Sequence, residues 1–137
     1  MIVADTGAIL ALIDRRDRHH RALRAVYETD PTAWVLPWAI LPEVDYLVSA
    51  HLSSRAQEAF LADVADGTFT IAWGEESDLD EAQRLSRRYP KLRMGLVDAV
   101  VIATATRLKA RAIATLDLRH FAAIAIPGSP RLLPRDL

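Results

Sequence analysis

The sequence predicts an α/β fold built on a central parallel sheet. Short apolar or β-branched runs at residues 1–4, 33–36, 68–73 and 112–115 alternate with longer stretches of helical periodicity. The first, second and fourth runs are too apolar to leave one face wet, as expected of strands covered on both sides. The 137 residues fit one domain, 51% of them hydrophobic and 26% charged, enough to bury a core without cross-links.

Each element has its own signal. Residues 1–4 form the first strand, and Asp5-Thr6-Gly7 turns the chain into a helix over 8–13, with Asp5 or Thr6 placed as its cap. A charged helix over 18–28 follows, with Ala22, Leu23 and Val26 on its apolar side, and Asp30-Pro31 ends it. Residues 33–36 make the second strand. Apolar residues at 40, 41, 44, 47, 48 and 52 then give helical spacing, which puts Pro42 in the first turn. Ser54 caps a helix that runs to Asp66, and Gly67 stops it. Residues 68–73 are the third strand, 77–89 a helix, 96–109 a long apolar helix and 112–115 the fourth strand. A short helix over 118–123 and an edge strand over 131–133 complete the chain.

Composition excludes several classes. There is no cysteine, so disulfides, thiolate metal sites and thiol nucleophiles are absent, and a reducing cytoplasm suits the chain. No apolar run approaches the roughly 20 residues that span a bilayer, and Asp5 interrupts the first hydrophobic stretch before it reaches export length. The expectation is a cytoplasmic protein. The net charge of −1 does not suggest a polyanion binder. Setting aside four candidate site acids changes the balance, because 14 acids then face 17 Lys and Arg.

Those four acids are Asp5, Glu43, Asp98 and Asp117. Ligands of open α/β sheets bind beyond the carboxyl ends of the strands. Asp5 follows the first strand directly, and Asp117 follows the fourth, two residues after Thr115. Glu43 and Asp98 sit in first helical turns, where the dipole favours an anion. All four positions belong to one end of such a sheet. Carboxylates crowded together take up protons or weaken the fold unless cations neutralise them. Oxygen ligands without His or Cys select Mg²⁺ or Mn²⁺ over zinc. The matching chemistry is metal-assisted phosphodiester hydrolysis. Capping preference competes for each acid taken singly.

The same residues carry a resemblance. The opening Met1-Ile2-Val3-Ala4-Asp5-Thr6-Gly7-Ala8, with Asp14 and His19-His20 after it, resembles PIN-domain ribonucleases, and most closely the VapC toxins of bacterial toxin–antitoxin pairs. Leu41-Pro42-Glu43-Val44, Gly95-Leu96-Val97-Asp98-Ala99 and Ala114-Thr115-Leu116-Asp117 with His120-Phe121 match the later blocks in family order. Pro42 departs from the ordinary helix former expected before the second acid. The resemblance implies a PIN-like fold of four to five parallel strands flanked by helices. It implies a catalytic quartet of Asp5, Glu43, Asp98 and Asp117 holding Mg²⁺, with Mn²⁺ as substitute, and a role for Thr115, with Thr6 beside it, in orienting carboxylates or water. It also implies a dimeric toxin that cleaves transfer or ribosomal RNA and is inhibited by an antitoxin docked on an apolar groove.

Other residues have two readings. Arg15, Arg16 and Arg18 are either an RNA-contacting rim or a solvated helix face. Arg87, Arg88, Lys91 and Arg93 form a second basic stretch. His19 and His20 point about 100° apart on a helix and read as surface residues. Trp34, Trp38 and Tyr46 read as core before stacking platforms. Asp80, Glu81 and Glu28 read as solvated helix faces. Two rival functions stand beside the nuclease. A catalytically silent PIN fold would need no such repulsive cluster. A small-substrate phosphohydrolase usually has Asp-x-Asp after the first strand, where this chain has Gly7.

Overall fold

The computed structural model describes residues 1–137. Its strands are β1 (Ile2–Ala4), β2 (Trp34–Pro37), β3 (Thr70–Ala72), β4 (Ala112–Ala114) and β5 (Arg131–Leu133). Between them lie helices α1 (Thr6–Ile13), α2 (His20–Thr29), α3 (Leu41–His51), α4 (Ser54–Asp66), α5 (Glu76–Arg88), α6 (Leu96–Arg107) and α7 (Leu118–Phe121). All strand pairs are parallel, in the order β3-β2-β1-β4-β5. The expected PIN-like sheet is present, with five strands and the last of them at an edge.

That order places a switch point between β1 and β4. The chain first builds outward through β2 and β3, then returns across β1 to lay down β4 and β5. A crevice opens where the direction reverses, at the carboxyl ends of β1 and β4. Register fixes the crevice: Ala4 pairs with Ala114, and the Asp5 amide donates to the Ala114 carbonyl at 2.8 Å.

Most boundaries fall within two residues of the sequence reading. Pro42 sits at the start of α3, where its missing N–H costs no helical bond, so the departure from the family pattern leaves the helix intact. One detail differs: Ser53, not Ser54, caps α4, its side chain accepting from the Ala56 amide at 3.0 Å. Of the two residues offered as the α1 cap, Asp5 is the one that fills the position. Gly67 ends α4 in a left-handed conformation.

α6 explains the rigidity behind the crevice. Val100, Val101, Ile102 and their neighbours from Ala99 through Ala105 are all buried, so this helix is enclosed on every side. Its outer partner is α5. Asp78 at the start of α5 is buried and receives Arg107 Nε at 3.0 Å and Arg107 Nη2 at 3.2 Å, and it also accepts from the Glu75 amide. Asp80 and Glu28 are exposed as expected, Glu28 in a surface pair with Arg24, whereas Glu81 is half-buried and tied to Arg84.

Removing one partner of a desolvated ion pair leaves the other charge stranded. Asp78→Ala is expected to lower the unfolding free energy by about 3 kcal/mol in urea titration. A loss within about 0.5 kcal/mol would reduce the pair to a surface contact.

Candidate active site

Four elements deliver one acid each. Asp5 leaves β1 and caps α1, its Oδ1 accepting from the Thr6 amide at 2.8 Å. Asp117 follows β4 and caps α7, accepting from the His120 amide at 3.2 Å. Asp98 lies in the first turn of α6 and Glu43 in the first turn of α3. The four line one cleft of about 380 Å³, together with Thr6 and Leu10. Asp5 is buried, Asp98 and Asp117 are half-buried, and Glu43 is exposed at the rim.

Thr115 couples two of the acids. Its hydroxyl donates to Asp5 Oδ2 at 3.0 Å and accepts from the Asp117 amide at 3.0 Å. One buried side chain therefore orients the carboxylate of β1 and the backbone that carries the carboxylate after β4. Thr6 contributes its amide, while its buried hydroxyl has no partner.

The electrostatics record crowding. Burial, followed by the charge on Asp98 and the weaker charge on Glu43, pushes the Asp5 carboxyl up to about 6, against hydrogen bonds from Thr6 and Thr115. Burial and the charges on Asp117 and Glu43 also raise Asp98, although the His120 hydrogen bond opposes them. His120 is pushed down by burial, but its bond to Asp98 and the charges on Asp117 and Asp98 outweigh this and lift it above the usual histidine value.

His120 was not among the sequence-predicted site residues. Its Nδ1 lies 2.8 Å from Asp98 Oδ2 and 2.8 Å from Asp117 Oδ2, and its Nε2 lies 2.9 Å from the Leu92 carbonyl. The signal was available as Asp117-x-x-His120, a cap followed by a side chain on the same helical face. The donor atoms of Asp98, Asp117 and His120 all lie within 4.8 Å of one another, close enough to share one cation. Asp5 and Glu43 belong to the cleft but not to this tight group. With one ring nitrogen against the two carboxylates and the other donating to a carbonyl, His120 acts here as a hydrogen-bond donor that braces Asp98 and Asp117.

The basic candidates separate. Arg18 borders a cleft beside Thr115, with Leu116 and Arg135. Arg16 turns to Asp14, and Arg15 lines a different groove with Leu12 and Ile13. His19 and His20 are half-buried rather than superficial. Their rings go to different partners, His19 to Arg18 and His20 to the Ala11 carbonyl. Trp34 is core, as expected, but Tyr46 is 70% exposed, because it falls on the outer face of α3 opposite Val44 and Val48.

A PIN domain family model matches residues 2–127. The chain is 32% identical over 130 residues to Ribonuclease VapC26 of Mycobacterium tuberculosis, covering 95% of this chain and 96% of that one. This chain belongs to the VapC-type PIN-domain ribonucleases. The same PIN fold is seen in VapC20 of M. tuberculosis, a sarcin–ricin loop cleaving toxin, with a TM-score of 0.81 at 18% identity over 95% of this chain and 99% of that one. It is seen again in a toxin–antitoxin complex from Klebsiella pneumoniae, with a TM-score of 0.71 at 20% identity over 93% of this chain and 94% of that one.

The raised Asp5 value is a statement about stability. A folded value near 6 against an ordinary 3.8 means that the folded chain holds this proton more tightly, so the ionised carboxylate opposes folding by about 3 kcal/mol. The penalty is complete above about pH 6 and vanishes as the pH falls toward about 4. Asp5→Asn removes it and keeps an acceptor for the Thr6 amide. In EDTA near pH 8 the variant is expected to melt at or above the wild-type temperature, with the difference closing toward about pH 5. A variant melting clearly below wild type at the higher pH would contradict the crowding.

Proposed function

We propose that this PIN domain is the toxin of a VapBC-type pair, a divalent-metal endoribonuclease acting in the cytoplasm on structured RNA, either transfer RNA or a ribosomal RNA loop. The observation that carries this reading is the convergence of Asp5, Glu43, Asp98 and Asp117 on one cleft at the switch point of the sheet. A pocket that raises its own carboxyls has a use for a cation.

Asp5, Glu43, Asp98 and Asp117 are the residues that would hold Mg²⁺ or Mn²⁺, with His120 in reach of the same position. Bound there, the ion supplies an activated water and counter-charge for the scissile phosphate. Thr115 keeps the Asp5 carboxylate turned toward the cleft. His120 holds Asp98 and Asp117 together and ties them to the Leu92 backbone. Arg18, beside Thr115, meets substrate phosphate, with Arg15 and Arg16 contributing to the same field.

The partners follow from surface. A groove of about 550 Å³ between α1, α2 and α4, lined by Leu12, Ile13, Tyr27, Phe60 and Phe69, offers the apolar seat for an antitoxin segment. A homodimer would draw on exposed apolar side chains such as Trp73 and Leu96. No helix is long and apolar enough to cross a membrane.

RNA ends mapped after brief induction in cells should show new cuts in transfer or ribosomal RNA, absent on induction of Asp5→Asn. Purified protein should stop cutting in EDTA and resume with Mg²⁺ or Mn²⁺. Undiminished cutting in EDTA would sink the metal mechanism, and identical RNA ends from wild type and Asp5→Asn would favour a silent RNA- or protein-binding module. Thr115→Val should lower kcat by about 10²-fold while RNA affinity holds, because it frees the Asp5 carboxylate to turn.

A further inference from the structure

The connection from α5 to α6 carries a basic strap that the acid cleft does not account for. From Ala82 to Val97 the chain holds Arg84, Arg87, Arg88, Lys91 and Arg93 and no carboxylate. Arg84 is tied to Glu81. The other four are exposed and enter no ion pair. The stretch at Arg15, Arg16 and Arg18 is different, because Asp17 interrupts it and the preceding Asp14 takes Arg16.

The strap is joined to the acids. His120 spans from Asp98 and Asp117 on one ring nitrogen to the Leu92 carbonyl on the other, at 2.8 Å and 2.9 Å. Leu92 lies between Lys91 and Arg93, so the two cations flank a backbone group one imidazole away from the carboxylates. The strap also carries an aromatic ring held in place. The Arg88 guanidinium lies 5.7 Å from the centre of the Tyr89 ring, and the Tyr89 hydroxyl accepts from the Ala125 amide at 3.4 Å. Arg88, Tyr89, Lys91 and Leu92 line a cleft of about 390 Å³. Unneutralised cations beside an anchored ring and a guanidinium plane suit an unpaired nucleotide, whose phosphate meets charge and whose base meets a flat face.

We propose that Arg88, Lys91 and Arg93, with Tyr89, form the main seat of the RNA strand as it leaves the Asp98–Asp117 side of the cleft. The proposal rests on the ribonuclease reading. The strap supplies substrate affinity, and its bond to His120 sets that affinity at a fixed distance from the carboxylates.

The test uses a fluorescein-labelled RNA hairpin with a single-stranded loop, bound to the full chain in an Asp5→Asn background with Mg²⁺ so that it stays uncut. Neutralising the strap with Arg88→Gln, Lys91→Gln and Arg93→Gln should weaken binding at least tenfold. It should also flatten the slope of log Kd against log salt by about 2, at roughly 0.7 per phosphate contact on a single strand. A control set, Arg55→Gln, Lys109→Gln and Arg111→Gln, removes the same charge elsewhere; the Arg111 amide bonds the Met1 carbonyl, at the sheet end away from the cleft. The control should leave the slope nearly unchanged, and Arg88→Lys with Arg93→Lys should restore it. Equal losses in both sets would show a general charge effect and overturn the seat. Unchanged binding in the strap variant would assign these cations to an acidic protein partner or to solvent, and would overturn it as well. Wild-type cutting is scored separately. Strap-dependent binding without any cleavage would sink the ribonuclease reading alone, and cleavage with strap-independent binding would sink the seat alone.

Discussion

The hydroxyl of Thr115 is the small group on which the cleft depends. β1 and β4 are neighbours, and Asp5 and Asp117 leave their ends, so the two acids would sit at the crevice with or without it. Their orientation is a different matter. By donating to Asp5 and accepting from the Asp117 amide, Thr115 spends its one proton on one acid and a lone pair on the backbone of the other. A valine there would keep the β-branched shape and lose both bonds. Being buried, the hydroxyl does not compete with solvent for this work.

Crowding acids at that position has a cost that the rest of the fold must carry. Asp5 is pushed up to about 6, by burial first and then by the charges on Asp98 and Glu43. The parallel sheet, the enclosed helix α6 and the ion pair between Asp78 and Arg107 hold the scaffold against that repulsion. Rigidity and instability are thus divided: the core is apolar and closed, and the strain is electrostatic, local and relieved by a proton or a cation. Any cation that neutralised these acids would stabilise the fold by the same interaction that bound it, which links binding to stability.

The fold was legible because its signals are local. Apolar runs of strand length, prolines at strand and helix edges, and Gly67 after α4 each act through their own backbone. Glu43 and Asp98 could be placed because a first helical turn is itself a local feature. What escaped was pairing across distance. Asp78 looked like one more acid at a helix start, and nothing near it in sequence says that Arg107 will cover it. His120 was visible as part of a block but not as a partner, because its contacts reach back to Asp98 and Leu92, elements whose approach only the folded sheet determines. Tyr46 was read as core from its type, and its position on α3 decided otherwise.

The near-neutral net charge is the last consequence of this arrangement. A polyanion substrate must approach a cleft that is itself acidic, and a chain with 17 basic and 18 acidic side chains has no long-range field to draw it in. The answer lies in local distribution. Some acids away from the cleft are paired with nearby cations, as in Arg24–Glu28, Arg84–Glu81 and Arg135–Asp136, which cancels charge locally. Along the strap after α5 no carboxylate intervenes, and the cations keep their field. Because that field is short-ranged at physiological salt, it acts only within about 8 Å of its source. A strap whose Leu92 carbonyl is bonded to His120 concentrates its uncancelled charge on one side of the cleft, and under the proposal above that local concentration does what a uniformly charged surface would not.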